Sequence, residues 1–437
     1  MKLSSISIAC CGLLIAFPSN AQTLEQAVAI TFATNPDIKS AFNEYMSKLY
    51  IVDQSTGAYK PRIDIDAGIG YEGINPANST GNKDTDMTRK DASITLTQLI
   101  WDGSKTLHDI DRTSADAESL RYQLLSDAQS VALEVINSYL DVLKAQKLME
   151  LSASNLSTHE RIYVDIKKRN DSGIGSVADL TQVEARLAKA HSNILAAQNN
   201  YKDAQTIFFK LVGEVPHNLI FPHADKNFIP ATLDEAKTQA FENHPVIKIA
   251  RADVDSAKFQ YKQVDANNFP VISFEAAQNW RNDSGGIEGS SAETTAMLRV
   301  RYNLYNGGRD SANADTMAYQ LNKAKDLLER AYRGVEQEIH LSWNALELTN
   351  LQKNFLAQHV DSASNTVIAY QKQYSLGRRT LLDLLNTENE LFESRKGYIE
   401  AQFAQQYAKY RVLTSTGNLR DALRIDIPKE WTQPVEY

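Results

Sequence analysis

The feature that constrains this chain most is where proline does not occur. There is none between Pro76 and Pro216, and none between Pro270 and Pro428. An interior proline costs a helix about 3 kcal/mol, so these two spans are free to hold very long helices. Their apolar pattern uses that freedom. Positions 124, 128, 131, 135, 138, 142, 145 and 149 read Leu, Ala, Val, Val, Ser, Val, Ala and Met. The 3-4 alternation continues over 180–211, and Leu385, Phe392, Ile399 and Leu413 stand at multiples of seven, with Gln406 the exception. This is the spacing of a coiled-coil seam. A helix over 104–169 would be about 100 Å long at its ordinary rise per residue. The small residues of the seams suit close, shallow packing of many helices better than one thick core, and predict an elongated assembly.

The chain also repeats itself. At an offset of 209, Thr23, Leu24, Ala27, Pro36, Ile38 and Pro61 match Thr232, Leu233, Ala236, Pro245, Ile247 and Pro270. At an offset of 204, Gly103, Gly173, Asp179, Leu180 and Gly213 match Gly307, Gly377, Asp383, Leu384 and Gly417. The repeats cover 22–230 and 231–437, and the second loses five residues between Pro270 and Gly307. Two copies are too few for a solenoid and indicate a duplicated, pseudo-symmetric unit.

Each repeat carries two segments that alternate with period two. Over 62–72, Ile63, Ile65, Ala67, Ile69 and Tyr71 oppose Asp64, Asp66, Gly68, Gly70 and Glu72. Over 91–101, Ala92, Ile94, Leu96 and Ile100 oppose Ser93, Thr95 and Thr97. Over 271–281, Ile272, Phe274, Ala276 and Trp280 oppose Ser273, Glu275 and Asn279. Over 294–305, Leu298, Val300, Tyr302 and Leu304 oppose Arg299, Arg301 and Asn303. Strands near ten residues with one charged face fit a membrane barrel with a wet lumen. Tyr71, Trp101, Trp280 and Tyr305 sit where interfacial aromatics would. Alternation alone equally fits amphipathic hairpins packed on the helices. Four strands cannot close a membrane barrel, whose smallest forms have about eight; three chains would supply twelve. The loops 73–90 and 283–293 are polar, and Gly285, Gly286 and Gly289 read as a mobile surface loop.

Lys2, the apolar run over 6–17 and the small residues at 19–21 read as a signal peptide over 1–21, predicting export. Both cysteines, Cys10 and Cys11, lie inside it in a poor lipidation context, so the mature chain would hold no disulfide. No later run of 18 apolar residues marks a membrane helix. The net charge of −8 gives no basic signal for nucleic acid. Catalytic signatures of the G-x-x-x-x-G-K, H-E-x-x-H and G-x-S-x-G types are lacking, and the eight histidines have no ligand spacing. No enzyme, cofactor or metal is expected.

Two glycine-broken turns, over 170–178 and 374–380, interrupt the helices. Gly173, Gly175 and Gly377 are expected to supply positive φ for the reversal. Ser176 and Thr380 stand three residues before Asp179 and Asp383, the spacing of a capping box.

Taken together, the export signal, the duplication, the hairpins and these turns resemble the TolC family of outer-membrane channel-tunnels. "YSLGRRTLLDLL" (374–385) looks like the family's periplasmic tip turn in its second repeat. "SGIGSVADLTQVEARLAKA" (172–190) with "LVGEVP" (211–216) is similar to the first repeat of the type I secretion branch, within it the LapE/AggA-type channels of large adhesins. "TLEQAVAITFATNPDI" (23–38) resembles the opening helix. The resemblance implies a mainly α protein with β: a homotrimer with a 12-strand outer-membrane β-barrel and a 12-helix periplasmic α-barrel. Its tip meets a periplasmic adaptor that an inner-membrane ABC transporter drives, and an exported polypeptide passes through to the exterior. The resemblance further implies a gate latch of Asp179, Tyr374 and Arg379. It places a pore constriction at Asp383 and Asn386, where the family's well-known member has a second aspartate. It gives the adaptor the exposed turn residues Gly173, Ile174, Gly175, Ser176, Leu376, Gly377, Arg378 and Thr380. A drug-efflux duct is the alternative within the class, and a secreted coiled-coil stalk or adhesin the alternative outside it.

Overall fold

A computed structural model describes residues 21–74, 85–426 and 428–431. The proposed signal peptide, with both cysteines, lies outside the described residues except for its last position. The element order repeats. Helices α1 (Leu24–Thr34) and α2 (Pro36–Gly57) lead to strands β1 (Arg62–Ile74) and β2 (Thr85–Trp101), then to α3 (Lys105–Asp171) and α4 (Val177–Val212). The second series runs α5 (Leu233–Asn243), α6 (Pro245–Asp265), β3 (Val271–Ser284), β4 (Ile287–Arg301), α7 (Arg309–Ser375) and α8 (Leu381–Ser415), followed by α9 (Leu419–Leu423). The proline-free spans hold α3 and α7, each of 67 residues. Pro36 and Pro245 take the first positions of α2 and α6, where a missing N–H costs nothing. Their preceding residues differ: Asn35 caps α2 with its side-chain oxygen, His244 caps α6 with Nδ1.

Two compact units cut across the repeats, each drawing on both. The first contains the chain through Thr34 with Glu134–Ala224 and Asn350–Tyr407. Here α3 buries Val135, Ile136, Tyr139, Leu140, Val142 and Leu143, a broader stripe than a two-position seam. The Tyr139 hydroxyl bonds the Gln22 and Ile220 carbonyls at 2.8 Å and accepts the Ile220 N–H at 3.0 Å. Burial pushes its pKa up to about 12, so it stays a neutral pin between α3 and the segments flanking α1 and α4.

The second unit contains Asn35–Leu133, Asp225–Thr349 and the chain from Ala408. Ala236, Ala240, Ile247, Val335 and Ile339 form one core patch, and Val52, Ile110 and Ala117 another. Its sheet is antiparallel in the order β1-β2-β3-β4, which leaves β1 and β4 as edges.

The register puts the four apolar faces on one side. Ile65 pairs with Ile94, Ile94 with Gln278, and Gln278 with Thr294; Ile63, Leu96, Ala276 and Ala296 make the next such row. Ile65 is 73% exposed, Ile69 74% and Leu298 65%, so the chain's own helices do not cover this face. That removes the reading of hairpins packed on helices. The opposite face carries Arg299–Glu275 at 2.8 Å and Arg89 bonded to Asp91 at 2.9 Å.

Several boundaries differ from the sequence reading. β3 and β4 run through most of the expected 283–293 loop, because Gly285 and Gly286, at φ +70° and +77°, make a two-residue turn, with one register shift beside it between Asn282 and Ser284. Gly289 lies inside β4 at φ +110°, its N–H bonded to Asp283 at 2.8 Å. β4 ends at Arg301, so Tyr302, Leu304 and Tyr305 fall beyond it. A bulge between Leu99 and Trp101 sets Trp101, not Ile100, opposite Ile272 on the apolar face. Trp101 then meets Phe269 edge-on, with ring centroids 5.9 Å apart.

Candidate functional site

Both glycine turns belong to the first unit. In the first, Gly173 takes φ +75° and its N–H bonds the Asn170 carbonyl at 2.9 Å. The N–H groups of Ile174 and Gly175 share the Arg169 carbonyl at 3.0 Å, which closes the end of α3. Gly175 does not take positive φ, contrary to the sequence reading. Its requirement is space: a Cβ there would stand 2.7 Å from the Asn170 nitrogen and 2.9 Å from its Cα. At Gly173 and Gly377 a Cβ meets nothing within 4 Å, so only their left-handed φ matters. Gly175→Ala is therefore expected to cost about 1–3 kcal/mol and Gly173→Ala nearer 1 kcal/mol. Limited proteolysis checks this: the first variant should be cut at 170–178 much faster than the second. Equal rates would remove the close-approach argument.

The two caps also differ. Ser176 accepts only the Ala178 N–H, at 3.2 Å. Thr380 makes the full reciprocal box: Oγ1 accepts the Asp383 N–H at 3.2 Å, while Asp383 Oδ2 accepts the Thr380 N–H at 3.3 Å and its hydroxyl at 2.9 Å.

The residues read as a latch occupy two neighbourhoods. Tyr374 packs on the buried patch of Ile166, Val183, Leu381 and Leu385, with the Arg169 guanidinium 5.4 Å over its ring. Burial raises its pKa; Arg169 opposes the shift, and the Asp179 and Asp165 carboxylates add to it. Asp179 is thus within electrostatic reach of Tyr374. Arg379 is seated on its own hairpin. Its guanidinium lies 4.3 Å over the Tyr370 ring, Nε donates to Gln373 Oε1 at 3.1 Å, and Nη1 is 3.9 Å from Asp383 Oδ2. Asn386, exposed, accepts a bond from Arg186 of α4 at 3.1 Å. Nothing in the local sequence pairs residues 200 positions apart, and this contact was not anticipated. The turn residues read as adaptor contacts are open to solvent: Ile174 is 84% exposed and Leu376 69%, with Gly173, Ser176, Gly377, Arg378 and Thr380 exposed and Gly175 partly so.

In the second unit the sheet orders the aromatics unevenly. Tyr71 and Trp101 stand near opposite ends of the apolar face. Trp280, paired with Ala92 and Ala292, lies further in than Tyr71, and Tyr305 lies off the sheet. No helix among the described residues is long and apolar enough to cross a membrane.

Comparison with known proteins adds the following. The profile of the outer membrane efflux protein family matches residues 30–214 and 237–418. The outer membrane efflux protein BepC of Brucella suis biovar 1 (strain 1330) is 24% identical over 399 residues, 91% of this chain and 86% of its own. The alkaline protease secretion protein AprF of Pseudomonas aeruginosa is 21% identical over 409 residues, 90% of this chain and 82% of its own. A crystal structure of a membrane protein from Pseudomonas aeruginosa superimposes with a TM-score of 0.81 at 14% identity, covering 90% of each chain.

Proposed function

This chain belongs to the outer membrane efflux protein family, the TolC family its motifs resemble, and from that premise we propose that it is the outer-membrane duct of a type I secretion system. It is an outer-membrane protein of the Gram-negative envelope, with its helices on the periplasmic side, and a passive channel rather than an enzyme. Three copies assemble, β4 of one pairing with β1 of the next, into a barrel of twelve strands.

The observation that carries this reading is the sheet: one face mainly apolar and not covered by the chain's own helices, the other charged, with two open edges. A sheet so built leaves two rows of backbone groups unpaired, which hydrocarbon does not tolerate. Closure through further copies satisfies both edges and gives the apolar face to lipid. A secreted coiled-coil stalk would leave that face in water.

The periplasmic end is assigned to the two glycine turns. Their exposed apolar and basic residues meet an adaptor that links the duct to an inner-membrane ABC transporter. Asp179, Tyr374 and Arg379 hold the tip shut, and Asp383 and Asn386 line its narrowest ring. The cargo is an unfolded polypeptide, a large adhesin on the strength of the LapE/AggA-like turn over 172–190. AprF, named for protease secretion, is compatible with a polypeptide cargo. BepC, named for efflux, favours the second reading, a small-molecule duct.

Deleting the gene separates the two. Secretion predicts loss of a large surface protein with drug sensitivity unchanged. New drug sensitivity with the surface proteins intact would replace the first reading by the second.

A further inference from the structure

Arg186 was not among the residues singled out from the sequence, and no carboxylate among the described residues pairs with it. Its Nη2 donates to Asn386 Oδ1 at 3.1 Å, tying α4 to α8. An amide accepts the hydrogen bond without cancelling the charge. Asp383 precedes Asn386 by one helical turn and shares its side of α8. Its carboxylate already caps Thr380 and lies 3.9 Å from Arg379. Arg186 thus brings a positive charge to the helical turn next to the Asp383 carboxylate. His159 of α3 is buried, its Nδ1 has no hydrogen-bond partner among the described residues, and burial together with the Arg186 charge holds its pKa down. The guanidinium is therefore bonded across to α8 and within electrostatic reach of α3.

We propose that Arg186 is a selectivity residue of the duct, its charge held beside the constriction by the Asn386 amide so that the Asp383 carboxylates do not make a cation filter. The inference rests on the reading above that Asp383 and Asn386 line the narrowest ring. A balanced ring suits a duct whose cargo carries both signs of charge past one point, since a ring of one sign holds back segments of the same sign. Asn386 belongs to the device. An aspartate there would engage Arg186 itself and leave the Asp383 carboxylate without that offset.

The test is the potassium-to-chloride permeability ratio of the full-length trimer in planar bilayers under a salt gradient. A unit charge about 7 Å from a permeating ion in water changes its occupancy roughly threefold. Arg186→Gln should therefore raise the ratio by at least roughly threefold. Arg186→Lys, which keeps the charge and loses the planar fork, should stay near the wild type. Asn386→Asp alone changes the charge at this level by the same unit and should raise the ratio by a similar factor. The double variant Arg186→Gln with Asn386→Asp should be the most cation-selective of the series. An unchanged ratio in Arg186→Gln, with trimer melting and conductance preserved, overturns the inference and leaves the duct reading standing. Should Arg186→Gln fail to assemble, Asn386→Asp decides: a shift as large as that of Asn386→Asp with Arg186→Lys supports the charge, whereas no shift in either overturns it. A wild-type protein without any conductance sinks the duct reading and this inference with it.

Discussion

Ile65→Arg is expected to abolish membrane insertion, while Asp66→Arg, one residue along the same strand, inserts normally. The register locates position 65 in depth. Trp101 pairs with Ile272, and six residues along β3 lies Gln278, joined through Ile94 to Ile65. Six residues along β1 from Ile65 lies Tyr71. Ile65 is thus midway between the aromatic residues nearest the two ends of the apolar face. Twelve residues of strand span about 40 Å, and a tilt of about 40° reduces the height to about 30 Å, the thickness of the hydrocarbon core. An arginine at the midplane of a barrel's lipid face costs about 2–4 kcal/mol, paid in every copy. Position 66 belongs to the face with Arg89, Asp91, Glu275 and Arg299, where a charge stays in water. The check is recovery of the assembled protein from outer membranes by detergent extraction and gel mobility. Normal insertion of Ile65→Arg, or loss with Asp66→Arg, would reverse the assignment of the faces. Lys90 shares the apolar face, but it pairs with Ile69, two residues short of Tyr71, where a long side chain can carry its ammonium to the interface.

This depth scale shows what the sequence could reveal and what it could not. Proline spacing located the long helices, because a missing N–H breaks a helix wherever it falls. Alternation located the strands and sorted Ile63 to Tyr71 onto one face, because side chains on a strand have a strict period of two. Parity fails where the backbone gains a residue. Trp101 belongs by counting to the charged face, and only the bulge after Leu99 moves it to the other. The same limit applied at the turns. Gly173 and Gly175 look alike in sequence, yet one is required by its dihedral angle and the other by the Asn170 backbone against it. Ser176 and Thr380 share a spacing and differ in the bonds they make. The broad buried stripe of α3 exceeds a heptad seam because this helix is covered on more than one side, which a single periodicity does not encode. Arg186 and Asn386 meet only because two hairpins pack together.

The proposed latch gives the other large effect. Arg379→Ser combined with Tyr374→Phe should raise the open probability of the duct in planar bilayers without adaptor present. Tyr374→Phe removes only a hydroxyl, leaving the ring on Ile166, Val183, Leu381 and Leu385 and beneath Arg169, so the fold of the tip survives. Arg379→Ser removes the stack on Tyr370, the bond to Gln373 and the charge near Asp383 together. A solvent-exposed latch contact made only in the closed tip would be worth about 0.5–1 kcal/mol in each chain. Repeated in three chains that need the same closed state, the loss is about 1.5–3 kcal/mol, a shift of roughly 10–100-fold between closed and open. On the proposed reading, this threefold multiplication lets weak, solvent-exposed groups hold the tip shut and still yield to an adaptor. Arg378→Ser is the control: Arg378 is also exposed and carries the same charge, but it is proposed as an adaptor contact and not as part of the latch. It should leave open probability unchanged in the absence of adaptor. Wild-type gating in the double variant, or equal opening in Arg378→Ser, would place the closing interaction elsewhere and leave Arg379 as part of the turn's own scaffold.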